Sequence, residues 1–324
     1  MMHKNAIQRL LSISLIIALL LPLVACNSQP EQTPGDELQG TLTISGAWAL
    51  YPLMVRWAEE YQLLHSNVRF DISAGGAGKG MADALSRAVD IGMVSREIYP
   101  QEIEQGAFWI AVTTDAVFLT ANQDSPIRPQ LEQRGLQLAD LQAIYMTGHY
   151  TTWGQVVSDP TNTDAIHVFT RSDACGAADT WAQYLGGNQE DLLGIGVYGD
   201  PGVLDAVIKD VLGLGYNNLN FAYDFETGLP VAGAWVVPLD VNENGQVDPE
   251  ERYDTKAQAI AAVANGHYPA PPARPLYLVT QGPPQGLTAN FINWILGAGQ
   301  AYVDEAGYIP LSAEQLQIEV EKLK

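Results

Sequence analysis

Between residues 41 and 93 the chain alternates between two apolar periods, and this alternation restricts the fold more than any other feature of the sequence. Residues 41–45 alternate as a strand, Leu53, Trp57, Tyr61 and Leu64 recur at helical spacing, and 68–72 reads as a second strand. The run Gly75-Gly76-Ala77-Gly78-Lys79-Gly80 then leads into a helix expected over 81–88, with a further strand at 89–93. Repeats of strand, helix and strand build a mostly parallel sheet flanked by helices, and such sheets bind ligands at the C-terminal ends of their strands.

Two later strands extend the argument. Residues 117–121 leave this first unit, and 275–280 (PLYLVT) return to it. A helix over 287–296, carrying Phe291, Trp294 and Ile295, and the stretch 301–308 complete it. Two crossings imply two lobes on a two-stranded hinge: lobe I from 40–119 plus 276–324, and lobe II from 120–275.

The N-terminus reads as a leader. His3, Lys4 and Arg9 precede an apolar stretch over 10–21, too short for a membrane span and the right length for a signal-peptide core. Leu23-Val24-Ala25-Cys26 resembles the lipobox of bacterial lipoproteins, which implies a leader of 1–25, a lipid on Cys26 and a membrane-tethered, exported protein. Residues 26–39, polar with two prolines, are expected to be a flexible spacer. The chain has only two cysteines, so with Cys26 lipidated Cys175 has no partner and no disulfide is expected. A formal net charge of -21 argues against nucleic acid and against long-range recruitment of anions; an anion site here must work through local, aimed donors.

Such donors are offered by 171–177, where Arg171-Ser172-Asp173-Ala174-Cys175-Gly176-Ala177 opens a helix. A helix start made of small residues leaves backbone N–H groups pointing into open space, and an arginine adds a planar fork. The segment resembles the Arg-x-Asp-Gly-Ser-Gly-Thr motif of the phosphate-binding proteins that serve ABC importers, with Cys175 for serine and Ala177 for threonine. Stretches similar to that family recur in order at 46–61, 74–80, 89–96, 141–153, 171–185, 213–216 and 275–310. The resemblance implies an α/β, type II periplasmic-binding-protein fold and a monomer that captures phosphate between its lobes for an ABC permease.

It also implies four ligand-contacting segments: Ala47-Trp48-Ala49, Gly76-Ala77, Ser95-Arg96, and Arg171 with Cys175, Gly176 and Ala177. Arg96 and Arg171 would then clamp one anion from opposite lobes, Asp173 orienting Arg171. Alanine, tryptophan and cysteine stand where the family has hydroxyls, and each hydrogen bond to a charged group is worth about 1.5–3 kcal/mol. The alternatives are therefore another oxyanion, a small organic acid, or a relative serving as sensor or adhesion module. A plainer reading pairs Arg96 with Glu97 or Glu102.

Residues 240–251 carry a second signal. Asp240, Asn242, Asn244, Gln246, Asp248 and Glu251 occupy every ligand position of a twelve-residue EF-hand loop, with Gly245 at its sharp turn. A structural calcium ion is expected there, between a strand at 231–238 and a helix at 250–264. Catalysis is not expected, because Cys175 is the single candidate nucleophile and His65, His149, His167 and His267 show no metal or triad spacing.

Overall fold

The computed structural model describes residues 38–324; the leader and Cys26 lie outside them. Strand β1 (Gly40–Gly46) pairs in parallel with β2 (Val68–Ala74) on one side and β3 (Ile91–Val94) on the other. Helix α1 (Tyr51–Leu64) makes the first crossover, with Pro52 preset for its first turn. It buries Leu53, Met54, Trp57, Ala58 and Tyr61, whereas Leu64, counted in the apolar stripe, is 64% exposed. The helix expected at 81–88 begins earlier, as α2 (Ala77–Leu85), because Gly76 takes φ +92° and turns the chain into it.

After α3 (Pro100–Glu104), strand β4 (Ala107–Asn122) is long enough to serve two sheets. Its 107–116 portion pairs antiparallel with the returning strand, and 117–121 pairs antiparallel with β7. The strand read at 117–121 is therefore the last third of a longer one. The middle of the chain supplies α4 (Arg128–Arg134), α5 (Leu138–Tyr145), α6 (Trp153–Val156), β5 (His167–Arg171), α7 (Gly176–Tyr184), β6 (Ile195–Val197), α8 (Gly199–Lys209), β7 (Gly213–Asn218), α9 (Leu219–Ala222), β8 (Ala234–Val236) and α10 (Lys256–Ala264). The chain returns on β9 (Ala273–Gln281) and closes with α11 (Gly286–Leu296), α12 (Ala301–Glu305) and α13 (Ala313–Glu321).

The strand order is β2-β1-β3-β9-β4-β7-β5-β6, with β8 also on β4. Two large apolar cores lie along this order, beside a small third cluster of Phe169, Val203 and Val207. One joins Leu42, Trp57, Tyr61, Val112, Leu276 and Phe291; the other joins Ala116, Phe118, Trp153, Trp181, Tyr216 and Trp235. The change of core falls between Val112 and Ala116 on β4 and before Leu276 on β9, so these two antiparallel strands carry the chain between a first and a second half.

Two expected elements are shorter than their apolar patterns suggested. The strand at 231–238 contracts to β8, and the helix at 250–264 splits into a single turn at Pro249–Glu251 and α10, which Thr255 caps by accepting from the Gln258 N–H. Among the described residues no helix is long and apolar enough to cross a membrane.

Candidate functional site

The sequence-predicted segments meet on a seam between the two halves. On the first half it is formed by the ends of β1, β2 and β3, where Gly46, Gly76 and Ser95 bring the backbone in close. The Gly75 and Gly76 N–H groups both donate to Gly46 O, at 2.9 and 3.0 Å. On the second half it is formed by the turn after β5 and the start of α7. A Cβ on Gly76 would stand 2.6 Å from Ala174 O, and one on Gly176 would stand 2.1 Å from Ser95 O and 2.3 Å from Ser95 Oγ. The Gly78 N–H completes the approach by donating to Ala174 O at 3.1 Å, one half to the other. Only glycine permits contacts this close, which is the physical content of the glycine run.

Ala47-Trp48-Ala49 borders the same seam. Ala47 and Ala49 are buried, and the Ala47 N–H is spent on Met93 O at 2.9 Å. The Trp48 indole stands edge-on to Tyr198 at 6.0 Å and Phe221 at 6.4 Å, both from the second half. Its N–H is buried and has no partner. Ala77 is fully buried at the start of α2.

The arginines are not the pair of open jaws the sequence suggested. Arg96 donates to both oxygens of Glu102, at 3.0 and 2.6 Å, and to Glu97 O at 2.7 Å, and lies 4.3 Å over the Tyr99 ring. That is the plainer reading, and its cause is short range: Glu102 sits on α3, close enough to hold the guanidinium in a two-pronged pair. Arg96 has its own link across the seam through Tyr99, whose hydroxyl donates to Asp179 on α7 at 2.8 Å.

Arg171 does lie on the seam, with no exposed side-chain surface. Its Nε and Nη2 donate to the two oxygens of Asp173 at 2.8 and 2.6 Å, and its Nη1 to Asp200 at 2.6 Å. Burial opposes its charge, but Asp200 and Asp173 outweigh burial and hold its pKa above the usual value. Three of its five N–H groups are thus used, leaving one on each terminal nitrogen.

Asp200, Asn218, Arg274 and Asp115 were not singled out in the sequence, and they complete this network. Asp200, at the start of α8, accepts from the Asn218 backbone N–H at 2.9 Å and Nδ2 at 2.8 Å. Arg274 on β9 donates to Asn218 Oδ1, to Asp115 Oδ2 at 3.1 Å and to Ser95 O at 3.1 Å. A continuous buried chain therefore runs from Ser95 in the first half through β9 to Arg171 in the second. Burial pushes Asp115 up to about 6, with Arg274 acting against it. Two guanidiniums face three carboxylates, so the surroundings of the seam carry no net positive charge even with Asp115 protonated.

Cys175 caps α7: its sulfur accepts from the Ala178 N–H at 3.4 Å, and burial raises its thiol to about 12 despite Arg171 nearby. The thiol stays protonated at neutral pH and is no nucleophile.

Residues 31–298 match the family model described as a PBP superfamily domain. The chain belongs to the PBP superfamily. It is 25% identical to the phosphate-binding protein PstS of Pseudomonas aeruginosa, over 91% of this chain and 90% of that one. It is also 25% identical to PstS of Bacillus subtilis, over 96% of each. An ABC-type phosphate transport receptor from Vibrio cholerae shares the fold with a TM-score of 0.60 and 19% identity, over 83% of this chain and all of that one. A substrate-binding protein assigned to phosphate ABC transport in Clostridium perfringens, solved with bound phosphate, gives 0.68 and 23%, over 84% and 100%. The fold is the α/β, type II periplasmic-binding-protein fold, and these relatives are binding proteins rather than enzymes.

The EF-hand-like residues of this superfamily member form a wrapped turn. Asp240, 1% exposed, accepts from the Asn244 and Gly245 N–H groups at 3.0 and 2.8 Å, and Glu251, 4% exposed, returns to accept from the Val241 N–H at 2.7 Å. Asn242 and Asn244 each aim Nδ2 at Asp248 Oδ2, at 2.7 and 2.9 Å. The carboxylates are not drawn together: no three Asp, Glu, His or Cys side chains among the described residues cluster as a metal site. The oxygen donors are of the type calcium takes, but the Asn242 and Asn244 Oδ1 atoms already accept from the Asn244 and Gln246 N–H groups at 3.0 and 2.9 Å.

Proposed function

We propose that the protein is an extracytoplasmic solute-binding protein, tethered by lipid at Cys26, that captures phosphate or a related oxyanion between its two halves and presents it to an ABC permease. The observation that carries this reading is the meeting of Ser95, Gly76 and the start of α7 on one seam, with Arg171 buried directly behind it. The start of α7 brings the positive end of a helix to that seam, Arg171 keeps two unspent N–H groups, and the Trp48 N–H is unpaired. The cross-seam bond from Gly78 to Ala174 keeps the halves together, so entry of a ligand requires them to part on β4 and β9.

Net charge sets the ligand's protonation. Because Arg171 is matched by Asp173 and Asp200, the seam favours an oxyanion that itself carries a proton, which can donate where a carboxylate accepts. Calorimetric titration with phosphate, sulfate, molybdate and small organic acids tests this reading. Saturable heat with phosphate is expected; silence toward every inorganic oxyanion overturns it and leaves the organic-acid, sensor or adhesion alternatives.

The reading extends to calcium at 240–251, where Asp240, Asn242, Asn244, Asp248 and Glu251 would give side-chain oxygens and Gln246 a backbone carbonyl. The ion would stiffen the connection between β8 and α10. Melting with and without chelator tests it, and an unchanged transition counts against it.

A further inference from the structure

Arg274 lies on β9 opposite Asp115 on β4, where the chain passes from one large apolar core to the other. It is buried, and its guanidinium reaches three separate elements. Nε donates at 3.1 Å to the carbonyl of Ser95, just beyond β3 in the first half; Nη1 donates to Asp115 Oδ2 at 3.1 Å; Nη2 donates to Oδ1 of Asn218, the last residue of β7 in the second half. One planar group thus touches both halves and the strand that joins them. A guanidinium holds these donors in a rigid fork, which the point charge of a lysine does not.

Asn218 carries the effect further. Arginine is a donor only, so Asn218 must turn its oxygen toward Arg274 and its Nδ2 the other way, where it donates to Asp200 Oδ2 at 2.8 Å. Reversed, the amide would set donor against donor at Arg274 and acceptor against acceptor at Asp200. The same Asp200 oxygen accepts from Arg171 Nη1 at 2.6 Å, while its other oxygen is held by the Asn218 backbone N–H at 2.9 Å. Ser95, Asp115, Arg171, Asp200 and Asn218 are all buried, so water does not replace these bonds and each is costly to leave unmade.

We infer that Arg274 is a positioning residue for the seam: it holds the Ser95 carbonyl of the first half and, through Asn218 and Asp200, the Arg171 guanidinium of the second, so that the two are set against each other before a ligand arrives. Its bearing on ligand rests on the reading of this seam as the oxyanion site. Arg274 acts through other groups and not by touching the anion. Ser95 is where the start of α7 closes on the first half, so releasing its carbonyl loosens that approach, and releasing Asn218 frees Asp200 to turn away from Arg171.

Hydrogen exchange of the ligand-free protein reads the tie directly, because the Gly78 N–H donates across the seam to Ala174 O and is released when the halves part. In Arg274→Lys, which keeps the charge and loses the fork, the Gly78 amide should exchange at least about tenfold faster, while the amides of Trp57 and Trp181, one in each large core, stay within about threefold of wild type. A merely structural role would speed all three alike. Asn218→Asp keeps an oxygen for Arg274 but loses the donor to Asp200; in calorimetry it should bind phosphate at least about tenfold more weakly, with Gly78 exchange as in the wild type. The inference is overturned if Gly78 exchange in Arg274→Lys stays at the wild-type rate, if Trp57 and Trp181 speed up with it, or if Asn218→Asp binds phosphate as the wild type does. A wild type silent toward phosphate would sink the proposed function, and faster exchange confined to Gly78 in Arg274→Lys would still uphold the tie between the halves.

Discussion

Two buried cations, Arg171 on the seam and Lys256 at the start of α10, 6% exposed, show opposite ways of keeping charge inside this molecule. Arg171 is paired from within: Asp173 and Asp200 take three of its five donors at 2.6–2.8 Å, and Asn218 in turn holds Asp200. Lys256 has one side-chain acceptor and a distant carbonyl. The first arrangement fixes the guanidinium's geometry. The second leaves the charge buried without a carboxylate partner.

Replacing each cation by methionine sharpens the contrast most. Arg171→Met strands Asp173 and Asp200 without their cation, and the loss of stability is expected to reach about 3–5 kcal/mol, read from the urea midpoint. Lys256→Met removes a charge that has no counterion, so the same measurement should show a change within about 1 kcal/mol, in either direction. Equal losses at the two positions would break the comparison.

Asp115 tests the seam network by pH. Its folded pKa of about 6 lies above the ordinary 3.8, so the folded state holds its proton more tightly than the unfolded state. That contribution is complete below about pH 4 and fades as pH rises through 6, by an amount on the order of 3 kcal/mol. Asp115→Asn keeps an oxygen for Arg274 and should flatten this part of the decline in urea midpoints between pH 4 and 6.5; an unaltered slope would show that Asp115 is not held protonated.

The loop proposed for calcium gives a smaller effect. A lone loop with a dissociation constant near 0.5 mM would add about 1 kcal/mol at 2 mM calcium. Melting should shift by about 2–4 °C, and Glu251→Gln should remove the shift. The smallest effect belongs to the surface: breaking the Lys209–Asp205 pair, 71% and 61% exposed, should cost at most about 0.5 kcal/mol.

What was legible in the sequence follows distance along the chain. The β1-α1-β2 unit, the glycine run and the returning strand β9 were readable because local period and turn residues specify them. Asp173 as the partner of Arg171 was readable at two residues' separation. Asp200 and Arg274 were not, since Asp200 lies 29 residues from Arg171 and Arg274 lies 159 from its partner Asp115. Only the sheet order brings them together. Arg96 was assigned to the ligand because of its place after β3, yet the nearby carboxylate of Glu102 captured it. Glu102 lies six residues further along the chain, and the two-pronged pair forms there. The length of β4 was hidden for another reason: it lies in two sheets, so each part of it obeys a different burial pattern.

The central claim is that one oxyanion binds on the seam in front of Arg171. Calorimetric titration of phosphate into the wild-type protein and into Arg171→Lys, which keeps the charge but loses the fork, tests it most directly. Saturable binding in the wild type, weakened at least a hundredfold in the variant, is the expected result; no binding, or equal binding in both, contradicts the account.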